Sequence, residues 1–190
     1  INSKAKINKL VITNNYELKE IFPDAKSEIN FNNHIIEINY DKKIFDINGS
    51  GNILLQNSND KLDYIIRKDK GGIKFDTIIE VKKNPLSINF LNFKKETKDE
   101  AKISFKGEIN EKNIKIEKIL FKNGKNKIEL DNILLNKDLK VLNLLKAKFD
   151  YFDNENIKNY FQISNKDKSY SLEGSLLNAN SFIENLLSND

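Results

Sequence analysis

The 190-residue chain has no cysteine, no methionine and no tryptophan, and it carries one histidine, two prolines and seven glycines. Without cysteine there is no disulfide staple, no thiolate metal site and no cysteine nucleophile. His34 is the only imidazole, so a histidine-cluster metal site lacks its second ligand. A Ser-His-Asp triad would have to use His34, yet no Gly-x-Ser-x-Gly elbow accompanies it. Its position in Asn32-Asn33-His34 reads as a solvated turn. Gly49-Ser50-Gly51 and Gly71-Gly72 are not followed by Gly-Lys-Ser/Thr and do not cradle phosphate. No run of about 18 apolar residues and no signal-peptide pattern occurs, so a membrane anchor is expected outside this segment. The missing initiator methionine points the same way, to a segment from inside a longer polypeptide.

Arginine is nearly absent as well: Arg67 stands alone beside 31 lysines, for a net charge of +4. Phosphate and base recognition favour the planar guanidinium, so no nucleic-acid partner is expected. The lysines read as a solvated outer face and as protection for strand edges.

What the chain does have is alternation. Apolar residues recur at every second position through Phe45, Ile47, Gly49, Gly51, Ile53 and Leu55, then Leu62, Tyr64 and Ile66, then Ile73, Phe75, Thr77, Ile79 and Val81. The rhythm continues with Leu86, Ile88 and Phe90, with Ala101 to Ile109, with Ile114 and Ile116, with Ile128 and Leu130, and with Tyr170 to Leu176. One long series, Leu139, Val141, Asn143, Leu145, Ala147, Phe149 and Tyr151, places all seven on one face. Period two gives each strand one apolar and one polar side. Short links force antiparallel neighbours, and Asn123-Gly124 predicts a type I′ hairpin between Phe121 and Ile128.

Two helices are also expected. One runs from Asn15 to Phe22 and stops at Pro23; the other spans 179–188, where Ser181-Phe182-Ile183-Glu184 is a capping box. The expected fold is therefore mainly β: a long, curled antiparallel meander of about a dozen strands, a single groove-like module over residues 1–190 with a short helix near each end.

Carboxylates are too common to exclude paired acids by counting. The densest cluster, Asp150-Tyr151-Phe152-Asp153-Asn154-Glu155, lacks the spacing of an EF-hand loop and reads as a strand-connecting turn. No enzyme activity and no cofactor are expected.

An open sheet of a dozen strands about 4.8 Å apart presents an apolar face nearly 60 Å wide. Two helices of about ten residues, each about 15 Å long, do not cover it. Acyl chains suit what remains, because each buried methylene contributes about 0.8 kcal/mol without any polar contact. The candidate lining residues are Phe45, Ile47, Ile53, Leu55, Leu62, Tyr64, Ile66, Ile73, Phe75, Ile79, Ile103 and Phe105. The alternative is a closed β-sandwich, structural or adhesive, whose interior is filled by its own side chains.

The C-terminal stretch Ser169-Tyr170-Ser-Leu172-Glu-Gly174-Ser-Leu-Leu177-Asn178-Ala179-Asn-Ser-Phe182-Ile-Glu-Asn-Leu186-Leu187 resembles a recurrent segment of AsmA-like proteins, the YhdP and TamB type. The resemblance implies a module of a Gram-negative envelope protein, in the periplasm and tethered to the inner membrane by a helix outside this segment. It also implies phospholipid acyl chains as cargo, moved between inner and outer membranes, with neighbouring β-groove modules of the same chain as partners.

Overall fold

The structure, a computed structural model, describes residues 1–14, 18–166, 169–180 and 183. Among these residues thirteen strands form: β1 (Asn2–Thr13), β2 (Glu28–Asp41), β3 (Ile44–Leu54), β4 (Asp60–Asp69), β5 (Gly72–Val81), β6 (Leu86–Ile88), β7 (Phe93–Lys95), β8 (Ala101–Ile109), β9 (Ile114–Asn123), β10 (Asn126–Leu135), β11 (Val141–Phe152), β12 (Lys158–Lys166) and β13 (Ser169–Leu176). Eleven of them make one antiparallel sheet in chain order, with β1 and β13 at its unpaired edges, while β6 and β7 pair only with each other. The sheet is not closed into a barrel. The segment 86–90 therefore does not continue the meander: Leu86 to Ile88 leaves the main sheet and Phe90 is exposed.

Residues directly opposite one another across a ladder share a face, so the register carries one apolar row from strand to strand. Ile38, Ile47, Ile66, Phe75 and Gly107 lie in such a row, continued by Ile116 and Ile133. A second row runs through Val81, Ala101 and their neighbours to Phe121, Ile128, Phe149 and Phe161. We call this the inner face.

Simple alternation does not hold along whole strands. The β2–β3 register slips between Asn32 and Ile35, where Asn33 takes φ 54°; the β8–β9 register slips between Lys106 and Gly107; and Asn132 in β10 takes φ 52°. Each irregularity turns the following residues to the other side. The long series in β11 is the casualty: Leu144, opposite Ile133, packs towards the core, and Leu145 is 47% exposed. His34 is corrected by the same effect. Rather than lying in a solvated turn, it sits inside β2 opposite Ile7, on the inner face, 1% exposed. Its ring lies 5.6 Å from Phe31 and 5.8 Å from Tyr64, with Nε2 3.0 Å from the Asn52 carbonyl.

Turn chemistry differs from expectation in two places. Asn123 pairs with Asn126, so the β9–β10 turn is Gly124-Lys125 with positive φ at Gly124, not a type I′ turn centred on Asn-Gly. The double left-handed turn occurs instead at Lys42-Lys43 (φ 45° and 73°), where Asp41 pairs with Ile44.

The segment between β5 and β8 folds over one end of the inner face. Gln56, fully buried just after β3, donates from Nε2 to Pro85 O (2.9 Å) and accepts from Asp24 N (3.1 Å). At the insert's other side Tyr151 Oη in β11 donates to Leu91 O (3.0 Å), and Phe93 sets its ring against Phe121 and Tyr151. The ends of β3 and β11 are six strand steps apart, about 29 Å in a flat sheet. The six residue steps from Pro85 to Leu91 reach at most about 20 Å fully extended, and Asn89–Leu91 is a tighter 3-10 turn. The sheet bends around its insert. Leu18, Phe22 and Ala25 join the same cluster, and Ser87 N donates to Ile21 O (2.9 Å).

The expected N-terminal helix is not found among the described residues, and the C-terminal one, of which Asn180 and Ile183 are helical, lies mostly outside them. Leu18–Glu20 is a single 3-10 turn, and 15–17 lie outside those residues. Most of 179–188 also lies outside them; Ile183 N donates to Ala179 O (2.9 Å).

Tyr151 gives the capped end a pH signature. Burial, helped by Asp153, pushes its hydroxyl up to about 12, from an ordinary value of 10.0. A tyrosine proton held more tightly in the folded state adds stability that is complete below pH 10 and is lost as pH rises towards 12. Tyr151→Phe is expected to cost about 1 kcal/mol at neutral pH and to flatten the decline between pH 10 and 12, read by urea denaturation. An unchanged alkaline slope would mean the hydroxyl is not sealed.

Candidate functional site

The inner face is not uniform along its strands. At the end roofed by the insert, Ile53, Leu55, Leu62, Val81, Ala101, Phe121, Ile128, Phe149 and Phe161 are all buried, none more than 8% exposed. At the opposite end the same face continues through Ile36, Ile38, Phe45, Ile47, Ile66, Ile73, Phe75, Phe105, Ile109, Ile114 and Ile116, every one only partly buried. Towards the edges the inner rows are more open still, with Leu10 and Ile12 on β1 and Tyr170 and Leu172 on β13 exposed. The chain exposes 12358 Å², where a compact monomer of 22.0 kDa exposes about 9,300 Å².

The twelve residues singled out from the sequence fall into two groups. Leu55 belongs to the roofed core, with Ile79 and Ile103 packed against it, and Ile53 and Leu62 are buried beside it, so the apolar surface of these five is largely taken up by this chain. Phe45, Ile47, Tyr64, Ile66, Ile73, Phe75 and Phe105 lie on the uncovered end, where Phe75 and Phe105 meet edge to face at 6.1 Å.

Four glycines on the inner face carry rings or ring stems from neighbouring strands. A Cβ on Gly49 would strike the Tyr64 ring, one on Gly51 would lie 2.5 Å from the His34 ring, one on Gly107 would lie 3.0 Å from Phe75 Cζ, and one on Gly174 would lie 2.5 Å from Phe161 Cβ. Side chains lean across the strands here and thicken the floor. Burial raises the Tyr64 hydroxyl above its ordinary value.

The remaining chemistry is structural. Asp153 accepts from Glu155 N (3.0 Å) and Ile157 N (2.8 Å) through Oδ1, and from the amides of Asn159 (3.3 Å) and Asn178 (2.8 Å) through Oδ2. That carboxylate closes a turn and ties down the chain after β13. Among the described residues no three His, Cys, Asp or Glu side chains gather as a metal site. No helix among them is long and apolar enough to cross a membrane.

The other face is polar and largely self-paired. Glu129 sits between Lys118 and Lys127, each ammonium 2.6 Å away, and those bonds pull its carboxyl down to about 2. Lys127 and Glu129 also line a cleft of about 610 Å³ across β10 to β13.

At the uncovered lip a smaller pocket of about 490 Å³ is formed by Tyr40, Phe45, Lys43, Lys68, Asp69 and Lys70. Period-two reading had no reason to include Lys68, yet the register places it in the inner row, between Phe45 and Ile73. The available signal was its parity with Tyr64 and Ile66.

The chain matches no protein-family model, no curated protein and no solved structure.

Proposed function

We propose that this chain is a non-enzymatic lipid-binding module whose bent sheet forms a groove for acyl chains, capped at one end by its own insert. The observation that carries the reading is the gradient along the inner face. The same apolar rows that are buried under the insert continue, in register, to an end where every residue is only partly buried and where the edge residues Leu10, Ile12, Tyr170 and Leu172 are exposed. Contiguous exposed apolar surface on a folded chain marks a binding face. About ten methylenes placed there contribute about 8 kcal/mol, which offsets much of the cost of ordering a ligand.

The β-groove style and the C-terminal segment favour the AsmA-like setting: one module of a longer envelope protein in the periplasm of a Gram-negative bacterium. The protein would be tethered to the inner membrane, and phospholipid would pass along its modules.

The test is organic extraction of the purified chain followed by mass spectrometry, on the wild type and on Ile47→Asp/Phe75→Asp. Both substitutions fall on the uncovered rows, away from the roofed core, so the sheet's circular dichroism is expected to persist. Phospholipid should copurify with the wild type and fall at least tenfold in the variant. A wild type free of lipid would favour the closed β-sandwich with a structural or adhesive role instead.

A further inference from the structure

Three of the turns that rim the uncovered end share a composition. The β2–β3 turn holds Lys42 and Lys43 with Asp41, the β4–β5 turn Lys68 and Lys70 with Asp69, and the β10–β11 turn Lys137 and Lys140 with Asp138. All six lysines are exposed, and among the described residues none stands in an ion pair. Asp69 is partly spent on its own turn, accepting from Gly71 N at 2.7 Å. At the roofed end the insert has lysines too, but Lys82 pairs with Glu80 and Glu100 and Lys94 with Glu96, and the β11–β12 link carries Asp153 and Glu155. At the open end three turns each carry one more lysine than acid.

Two details join that charge to the groove. Lys68 stands in the inner row itself, and with Lys43 and Lys70 it surrounds the Tyr40 and Phe45 rings in the 490 Å³ lip pocket. Lys42 and Lys43 both hold left-handed backbone, which Asn-Gly would adopt at less cost.

We infer that the groove takes an acidic phospholipid, its acyl chains laid on the uncovered rows and its anionic head group held among the lysines of the lip. This rests on the lipid-binding reading and adds the sign of the head group and the end at which it sits. Lysine suits the task as a hydrated point charge on a long apolar stem that can reach from a greasy floor to water.

The experiment offers the delipidated chain an equimolar mixture of phosphatidylglycerol and phosphatidylcholine with identical acyl chains, plus palmitate. The protein is then re-isolated by gel filtration and extracted. Phosphatidylglycerol should exceed phosphatidylcholine by about fivefold or more in the wild type, and high salt should shrink the ratio. Lys43→Glu/Lys68→Glu/Lys70→Glu should bring the ratio to about one or below by lowering the phosphatidylglycerol taken up, with the thermal midpoint kept. All three residues are exposed, and none belongs to the core.

Equal amounts of the two phospholipids on the wild type would overturn the inference while leaving the groove reading intact. Preferential uptake of palmitate would overturn the phospholipid assignment. A chain that takes up neither phospholipid would overturn both readings.

Discussion

Lys95→Met is expected to lower the stability of the chain by about 3–5 kcal/mol, measured by urea denaturation at neutral pH. Lys95 is 0% exposed, and its ammonium donates to the carbonyls of Asn84 (2.7 Å), Glu96 (3.0 Å) and Lys82 (3.4 Å). Burial lowers its pKa and raises that of nearby Asp60, whose carboxylate takes Asn84 Nδ2 (2.7 Å) and Lys82 N (3.1 Å). Methionine fills much of the same volume but leaves three carbonyls without their donor and Asp60 without its counter-charge. Asp60→Asn in the Lys95→Met background should therefore recover part of the loss. Because the folded-state pKa of Asp60 is raised, its charged form disfavours folding. The single variant should then lose least at low pH, where that carboxyl is protonated. A loss below about 1 kcal/mol would show that the ammonium does not pin the insert to the sheet, and the roofed end would need another explanation.

How much of this was legible depends on what period two encodes. Strand positions and the antiparallel order follow from alternation and short links, and eleven of the twelve lining residues lie in strands at expected parity, in β3, β4, β5 and β8, with Leu55 just after β3. Alternation is blind to irregularities. Asn33 and Asn132 adopt left-handed backbone inside strands, which turned His34 from a solvated residue into a buried one and put Leu144 rather than Leu145 inside. The insert was illegible for another reason. Leu86, Ile88 and Phe90 alternate like any strand, and only tertiary pairing decides that β6 meets β7 instead of the main sheet. The roof it forms divides the candidate residues into core and uncovered groups. The C-terminal amphipathic stretch falls mostly outside the described residues.

The inner glycines lead to the second large effect. Gly107→Val is expected to cost about 3 kcal/mol or more, and Gly107→Ala not much less, because the obstacle is backbone. A Cβ at Gly107 would run into the Lys115 carbonyl oxygen and lie 3.0 Å from Ile116 Cα and from Phe75 Cζ. The ring can swing aside; the β9 backbone cannot do so without opening the ladder at its slipped register. Gly124→Ala is the matched control. That glycine holds φ 56° in the β9–β10 turn, yet nothing lies within 4 Å of its added Cβ, so only conformational strain of about 1 kcal/mol applies. Comparing the two alanine variants by denaturation separates glycine as a spacer from glycine as a turn-former, with Gly107→Ala expected to lose at least twice as much. Equal losses would mean that β8 and β9 are not pressed together where the register slips. The bend of the sheet around its insert would then have to arise without that close approach.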